Sequence, residues 1–141
     1  MILLETSRNI AASAYKVFAA FADGERLARW FGPAGFTNTF HTFEFESGGR
    51  WVYTMYGPDG KNYENESVFR EVVPGKRIVI EHISLPKYEL TIALAENGGQ
   101  TKVTWIQDFE NETFATKMTD FLKTANEQNL DKLSAEVLGS S

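Results

Sequence analysis

The chain carries few groups fit for covalent or acid–base chemistry. It has two histidines, His41 and His82, and no cysteine. A thiol nucleophile, an iron–sulfur cluster, a disulfide framework and a zinc finger are thereby excluded. Two histidines do not make a multi-histidine metal site, so neither a metal nor a cofactor is expected. No G-x-S-x-G, Walker or dinucleotide-binding pattern occurs. Gly48-Gly49 and Gly98-Gly99 read as turn glycines, because no helix start follows them to hold a phosphate. His82 is the one candidate acid or base. Period-two alternation places it with Ile78 and Ile80, and turns its neighbour Glu81 to the other face. Proton transfer needs a partner within hydrogen-bond reach, and His41 is the only remaining histidine to supply one. No catalytic residue is assigned, and the balance leans away from an enzyme.

Aromatic side chains are abundant instead, with 3 Trp, 5 Tyr and 11 Phe in 141 residues. Each buries roughly 150–250 Å² in a core. So large a set in so short a chain is expected to surround a space as well as fill one. Phe43, Phe45, Trp51, Tyr53, Met55 and Trp105 share a strand face. Phe114, Met118, Phe121 and Leu122 form a helical stripe that must lie opposite. The segment Trp30-Phe31-Gly32-Pro33-Ala34-Gly35-Phe36 sets aromatic residues around a Gly/Pro loop. It reads as a plug for one end of the sheet or as a lid over a ligand. Trp30, Phe31, Phe36, the ten residues just named and His82 make up the candidate ligand-binding set.

The elements that position these groups follow from periodicity. Residues 2–10 read as a strand. Ser13 can cap a helix over 14–22, and Asp23 a second over 25–31 that Gly32-Pro33 stops. Six strands follow, at 38–46, 50–56, 63–73, 77–84, 88–95 and 101–109. Turns of hairpin length separate them, including Gly57-Pro58-Asp59-Gly60 and Asn97-Gly98-Gly99. In the first of the six, His41, Phe43 and Phe45 are expected on one face. From Asn111 to about Leu138 the period is helical, with Thr113 as candidate cap. The fold class is α+β: a curved antiparallel sheet of about six to seven strands around a long C-terminal helix. Two short helices lie between strands 1 and 2. One domain spans residues 1–141. A helix cannot fill a concave sheet, so a cavity between them is expected.

The formal net charge is −5, from 14 Lys and Arg against 19 Asp and Glu. An acidic domain repels phosphate backbones, so nucleic acid is not an expected partner. No run approaches the roughly 20 apolar residues of a membrane span. The start, MILLETSRNI, lacks a basic leader and a long apolar run, and a cytoplasmic location is expected.

Several segments, in order, carry a further signal. They begin with Ile10-Ala11-Ala12-Ser13 and Val17-Phe18, then Leu27-Ala28-Arg29-Trp30-Phe31-Gly32-Pro33. Gly48-Gly49-Arg50-Trp51, Tyr53-Thr54-Met55 and Gly57-Pro58-Asp59-Gly60 follow. Glu71-Val72-Val73-Pro74, Arg77-Ile78-Val79 and Asn129-Leu130-Asp131-Lys132-Leu133 complete the set. Together they resemble START-like domains of the heat-shock-protein-90 ATPase activator homologue family, and the resemblance covers nearly the whole chain. It implies the helix-grip (SRPBCC) fold with a deep apolar cavity, in which relatives carry lipids, plant hormones or polyketides. It also marks a departure: many relatives have Gly-Trp where this chain has Ala125-Asn126. The leading expectation is binding or carriage of a small hydrophobic molecule that is aromatic, lipid or polyketide-like. The alternatives are a cyclase- or hydrolase-type enzyme using the same cavity, and a co-chaperone-like regulator of a heat-shock ATPase.

Overall fold

The computed structural model describes residues 2–139. In chain order the elements are β1 (Ile2–Ile10), α1 (Ala14–Ala22), α2 (Gly24–Trp30), β2 (Thr37–Phe43), β3 (Arg50–Tyr56), β4 (Asn62–Val73), β5 (Arg77–His82), β6 (Tyr88–Asn97), β7 (Gln100–Phe109), α3 (Glu112–Lys117) and α4 (Thr119–Gly139). The seven strands form one curved antiparallel sheet in the order β1-β7-β6-β5-β4-β3-β2. Sequential strands from β2 to β7 are neighbours because each connection is short enough to turn back on itself. The tightest is Asn97 to Gln100, where Gly98 and Gly99 hold φ of 61° and 81°. A two-residue hairpin turn of this kind needs both central residues at positive φ, which glycine adopts without a Cβ clash. No helix among the described residues is long and apolar enough to cross a membrane.

The two short helices start where side-chain oxygens meet free backbone N–H groups. Ser13 Oγ accepts from Lys16 N at 3.2 Å. Asp23 Oδ1 accepts from Glu25 N and Arg26 N at 3.0 and 3.3 Å. Asp23→Ala should cost about 1 kcal/mol of stability in urea denaturation, and an unchanged midpoint would show that α2 does not depend on this cap.

Three local features differ from the sequence expectation. A bulge in β2 interrupts alternation between Phe40 and Thr42. It puts Phe40 and Phe43 on the inner face and sends His41 outward, where its Nε2 lies 2.7 Å from Thr54 Oγ1. Second, the C-terminal helix is broken. Met118 has φ −100° and ψ 9°, and separates α3 from α4. The Thr119 hydroxyl donates to the Ala115 and Thr116 carbonyls, so a side chain competes for acceptors that a continuous helix would use. Third, α3 is capped by Asn111, whose Oδ1 accepts from Phe114 N at 2.9 Å, rather than by Thr113.

The core sits at one end of the sheet. There α1 and α2 bring Val17, Phe18, Phe21, Leu27 and Trp30 against Trp51, Phe69, Ile78 and Ile92, with Leu130, Leu133 and Val137 from the second half of α4. Trp30 Nε1 donates to the Ala20 carbonyl at 3.0 Å, satisfying the one polar atom it buries. Ion pairs hold α4 in place across this arrangement. Arg8 of β1 meets Glu127 and Asp131, and Arg26 and Arg29 of α2 meet Glu136. Pairs near the surface contribute little energy singly, but Arg26 and Glu136 are both largely covered, and together the pairs tie α4 to β1 and α2.

Candidate functional site: an apolar cavity between sheet and helix

The first half of α4 spans the concave face where no short helix lies beneath it. The gap is a cavity of about 560 Å³. Inner-face residues of the strands, the loop after α2 and the α3–α4 segment wall it. Nine of the sequence-derived candidates line it: Phe31, Phe36, Tyr53, Met55, His82, Trp105, Phe114, Phe121 and Leu122. The structure places the others elsewhere. Trp30, Phe43, Phe45 and Trp51 belong to the packed end, where Trp51 lies flat on Phe69 with ring centres 5.7 Å apart. Phe45 packs edge-on against Phe18 and Phe69. Met118 occupies the break between α3 and α4, outside the cavity wall.

The wall also contains residues that the sequence did not single out as a site. Register pairs Tyr53 with Asn65 and Met55 with Tyr63, so the inner face of β4 carries Tyr63, Asn65, Ser67 and Phe69. Tyr88, Leu90, Gln107 and Phe109 complete the sheet side, and Ala125, Asn126 and Asn129 the helix side. Alternation already groups Gln107 with Val103 and Trp105, so its position was readable. Asn126 lies where the resemblance put a Trp in many relatives. Here it is 5% exposed and donates to Gln107 Oε1 at 3.1 Å.

Phe31 and Phe36 reach the cavity on a loop that α4 holds down. Asn129 Oδ1 accepts from Gly32 N at 2.8 Å, and Gln128 Oε1 from Ala34 N at 3.0 Å. Lys132 Nζ donates to the Gly32 and Pro33 carbonyls at 3.3 and 3.4 Å. Burial lowers the pKa of this lysine. Phe31 stacks on Trp105 at 6.4 Å, inside the cavity, while Phe36 meets Tyr63 at 6.0 Å near the opening. The mouth is apolar and open to solvent, with Leu85, Phe121 and Tyr63 all exposed.

The interior is polar in places but carries no free charge on the described residues. Tyr53 has its pKa raised well above the phenol value by burial, with Tyr88 adding to the effect. Burial does the same to Tyr88. Both are neutral at neutral pH. Glu64 stands at the rim, and its carboxylate accepts from Thr54 Oγ1 at 2.9 and 3.1 Å. No group of three or more His, Asp or Glu among the described residues could hold a metal ion.

His82 is the one histidine in the wall. Its Nδ1–H donates to the Pro86 carbonyl at 2.7 Å, and its Nε2 lies 2.7 Å from Asn65 Oδ1 and 3.3 Å from Ser84 Oγ. The ring stacks on Tyr88 at 4.5 Å, with 12° between the planes. His41 cannot serve as its partner, because the β2 bulge puts it on the opposite face of the sheet. Glu81 is also outward, paired with Arg70. Both ring nitrogens are thus held by groups of the protein. The arrangement positions His82 rather than freeing it to move a proton to or from a ligand.

Burial lowers the pKa of His82, against smaller opposing contributions from the bonds near Pro86 and Ser84. The sign of the linkage follows. Below about pH 6.5 the unfolded chain takes up this proton first. The folded state therefore loses stability as pH falls, until its own lower pKa is reached. Melting temperatures from pH 7.5 to 5.5 should fall more steeply for the wild type than for His82→Gln. Parallel curves would contradict the assignment.

A seven-stranded antiparallel sheet gripping a C-terminal helix, with a cavity between them, defines a helix-grip domain. The family model described as "Activator of Hsp90 ATPase homolog 1-like protein" matches residues 11–137. The chain belongs to that family. Solved structures agree on the fold. A protein from Arthrobacter aurescens is 23% identical with a TM-score of 0.88, covering 99% of this chain and 87% of its own. One from Chromobacterium violaceum is 22% identical with a TM-score of 0.84, covering 96% of each. An AHSA1 protein from Silicibacter pomeroyi is 18% identical with a TM-score of 0.79, covering 99% of this chain and 100% of its own. No curated protein matches the chain.

Proposed function

We propose that residues 1–141 act as one binding domain for a small apolar molecule, held between the sheet and α4. The observation that supports this reading is the cavity of about 560 Å³, whose aromatic wall is left unfilled by side chains. Such a wall suits flat or lipid-like molecules, because buried apolar area drives their transfer from water. The neutral dye N-phenyl-1-naphthylamine should bind with a saturable rise in fluorescence. Ala125 lines the cavity and is 8% exposed, so Ala125→Trp places an indole inside it. That variant should weaken dye binding about tenfold or more while remaining folded by circular dichroism. Equal binding by a folded Ala125→Trp would remove the cavity as the binding site.

A second reading is regulation of a heat-shock ATPase. The family description and the name of the Silicibacter pomeroyi relative speak for it more directly than for any ligand. Adding the chain to heat-shock protein 90 should then raise its ATPase rate. Stimulation that survives Ala125→Trp would separate this role from the cavity. No change in rate would count against it.

A further inference from the structure

The cavity is lined by an amide pair whose bonding is incomplete. Gln107 on β7 and Asn126 on α4 are 7% and 5% exposed, and both line the cavity. One hydrogen bond joins them, from Asn126 Nδ2 to Gln107 Oε1. Gln107 Nε2 and Asn126 Oδ1 make no bond to another described residue. Turning both amides over exchanges the roles and leaves the same result, one donor and one acceptor unmet. Both atoms keep accessible surface in the cavity, where a ligand's own donor and acceptor can complete their bonds. A pair that served packing alone would spend these atoms on the protein, as Asn129 does. Its Oδ1 takes Gly32 N and its Nδ2 donates to the Ala125 carbonyl.

The surroundings narrow the chemistry. Trp105 lies two residues from Gln107 on the same strand face, is 2% exposed, and has no partner for its Nε1–H. Phe31 stacks on it at 6.4 Å, so an aromatic surface adjoins the amides. Among the described residues, no lysine or arginine lines the cavity to neutralise an anionic head group. The Lys132 ammonium is taken by two loop carbonyls, and burial favours the neutral form of His82. Ionised fatty acids and phosphates are thus disfavoured.

We propose that Gln107 and Asn126 are the recognition element of this cavity. They select a neutral, flat apolar ligand that presents a hydrogen-bond donor and acceptor side by side, as a lactam or carboxamide does. This rests on the cavity reading above, and the test separates the two. Three tricyclic probes are compared by equilibrium dialysis against the full chain: phenanthridinone, its N-methyl derivative and phenanthrene. The lactam has the donor–acceptor edge, the N-methyl lactam lacks the donor, and the hydrocarbon lacks both. The wild type should bind phenanthridinone at least about fivefold more tightly than the N-methyl derivative. The double variant Gln107→Leu/Asn126→Leu removes both amides together and leaves no orphan partner. It should keep phenanthrene binding and lose the preference between the lactams. A preference below fivefold in the wild type, with phenanthrene bound, overturns the recognition element and leaves the cavity standing. Binding of none of the three overturns both. The wild-type comparison decides the matter even if the double variant does not fold.

Discussion

Trp51→Ala should cost about 3–5 kcal/mol, the largest loss expected from any single side chain in the aromatic set. Against a total of about 5–15 kcal/mol for an ordinary domain, that is roughly a fifth or more of the stability. The reason is local density. Trp51 is 1% exposed, and its ring lies 4.3 Å from Tyr53, 5.0 Å from Phe31, 5.4 Å from Phe40 and 5.7 Å from Phe69. Its neighbours are fixed by α1, α2 and the sheet, so they cannot collapse into the space left behind. Trp51→Phe should cost clearly less, since it keeps an aromatic ring and removes an indole N–H that has no partner. Phe121→Ala provides the contrast. That side chain is 54% exposed at the cavity mouth, so its loss should scarcely move the urea midpoint. If Trp51→Ala and Phe121→Ala are equally mild, the division into a packed end and an open end is wrong.

Gly49→Ala is expected to be nearly as damaging, for a backbone reason. A Cβ at this position would stand 1.9 Å from the Glu44 carbonyl oxygen. The segment cannot slide away without losing bonds on both sides. Gly49 N donates to the Glu46 carbonyl at 2.8 Å, and its own carbonyl accepts from Phe69 N at 2.9 Å. Overpacking against fixed backbone costs about 3 kcal/mol. Gly48→Ala meets nothing within 4 Å, but strains a residue with φ of +88°, worth about 1–2 kcal/mol. Thermal unfolding of the two variants should therefore rank Gly49→Ala well below Gly48→Ala. The reverse order would mean that the β2–β3 connection bends more freely than its hydrogen bonds imply.

Much of this architecture is written in local pattern. Alternation, the turn glycines and the caps at Ser13 and Asp23 act over a few residues, and each is legible without knowledge of the rest. The bulge at His41 is not legible, because one extra residue shifts a face without altering composition. The break at Met118 depends on where the Thr119 hydroxyl points, which residue type alone does not determine. The candidate site divides along the same line. Trp51, Tyr53 and Met55 share one face of one strand, yet Trp51 is packed solid while Tyr53 and Met55 border the cavity. What separates them is how far α1 and α2 extend over the sheet, a tertiary fact. Gln107 and Asn126 were readable as polar residues among apolar ones. That they meet across the cavity depends on where α4 crosses the sheet.

The central claim, that a small apolar molecule occupies the space beside α4, can be read from three nuclei. The chain has 3 Trp, and their indole N–H signals report on different places. Trp105 lines the cavity, whereas Trp30 and Trp51 are buried in the packed end. Nitrogen-15 correlation spectra recorded while N-phenyl-1-naphthylamine is titrated in should show the Trp105 indole signal moving to saturation. The Trp30 signal should stay fixed, and the Trp51 signal should move little. A Trp105 signal that does not move at saturating dye would contradict the account.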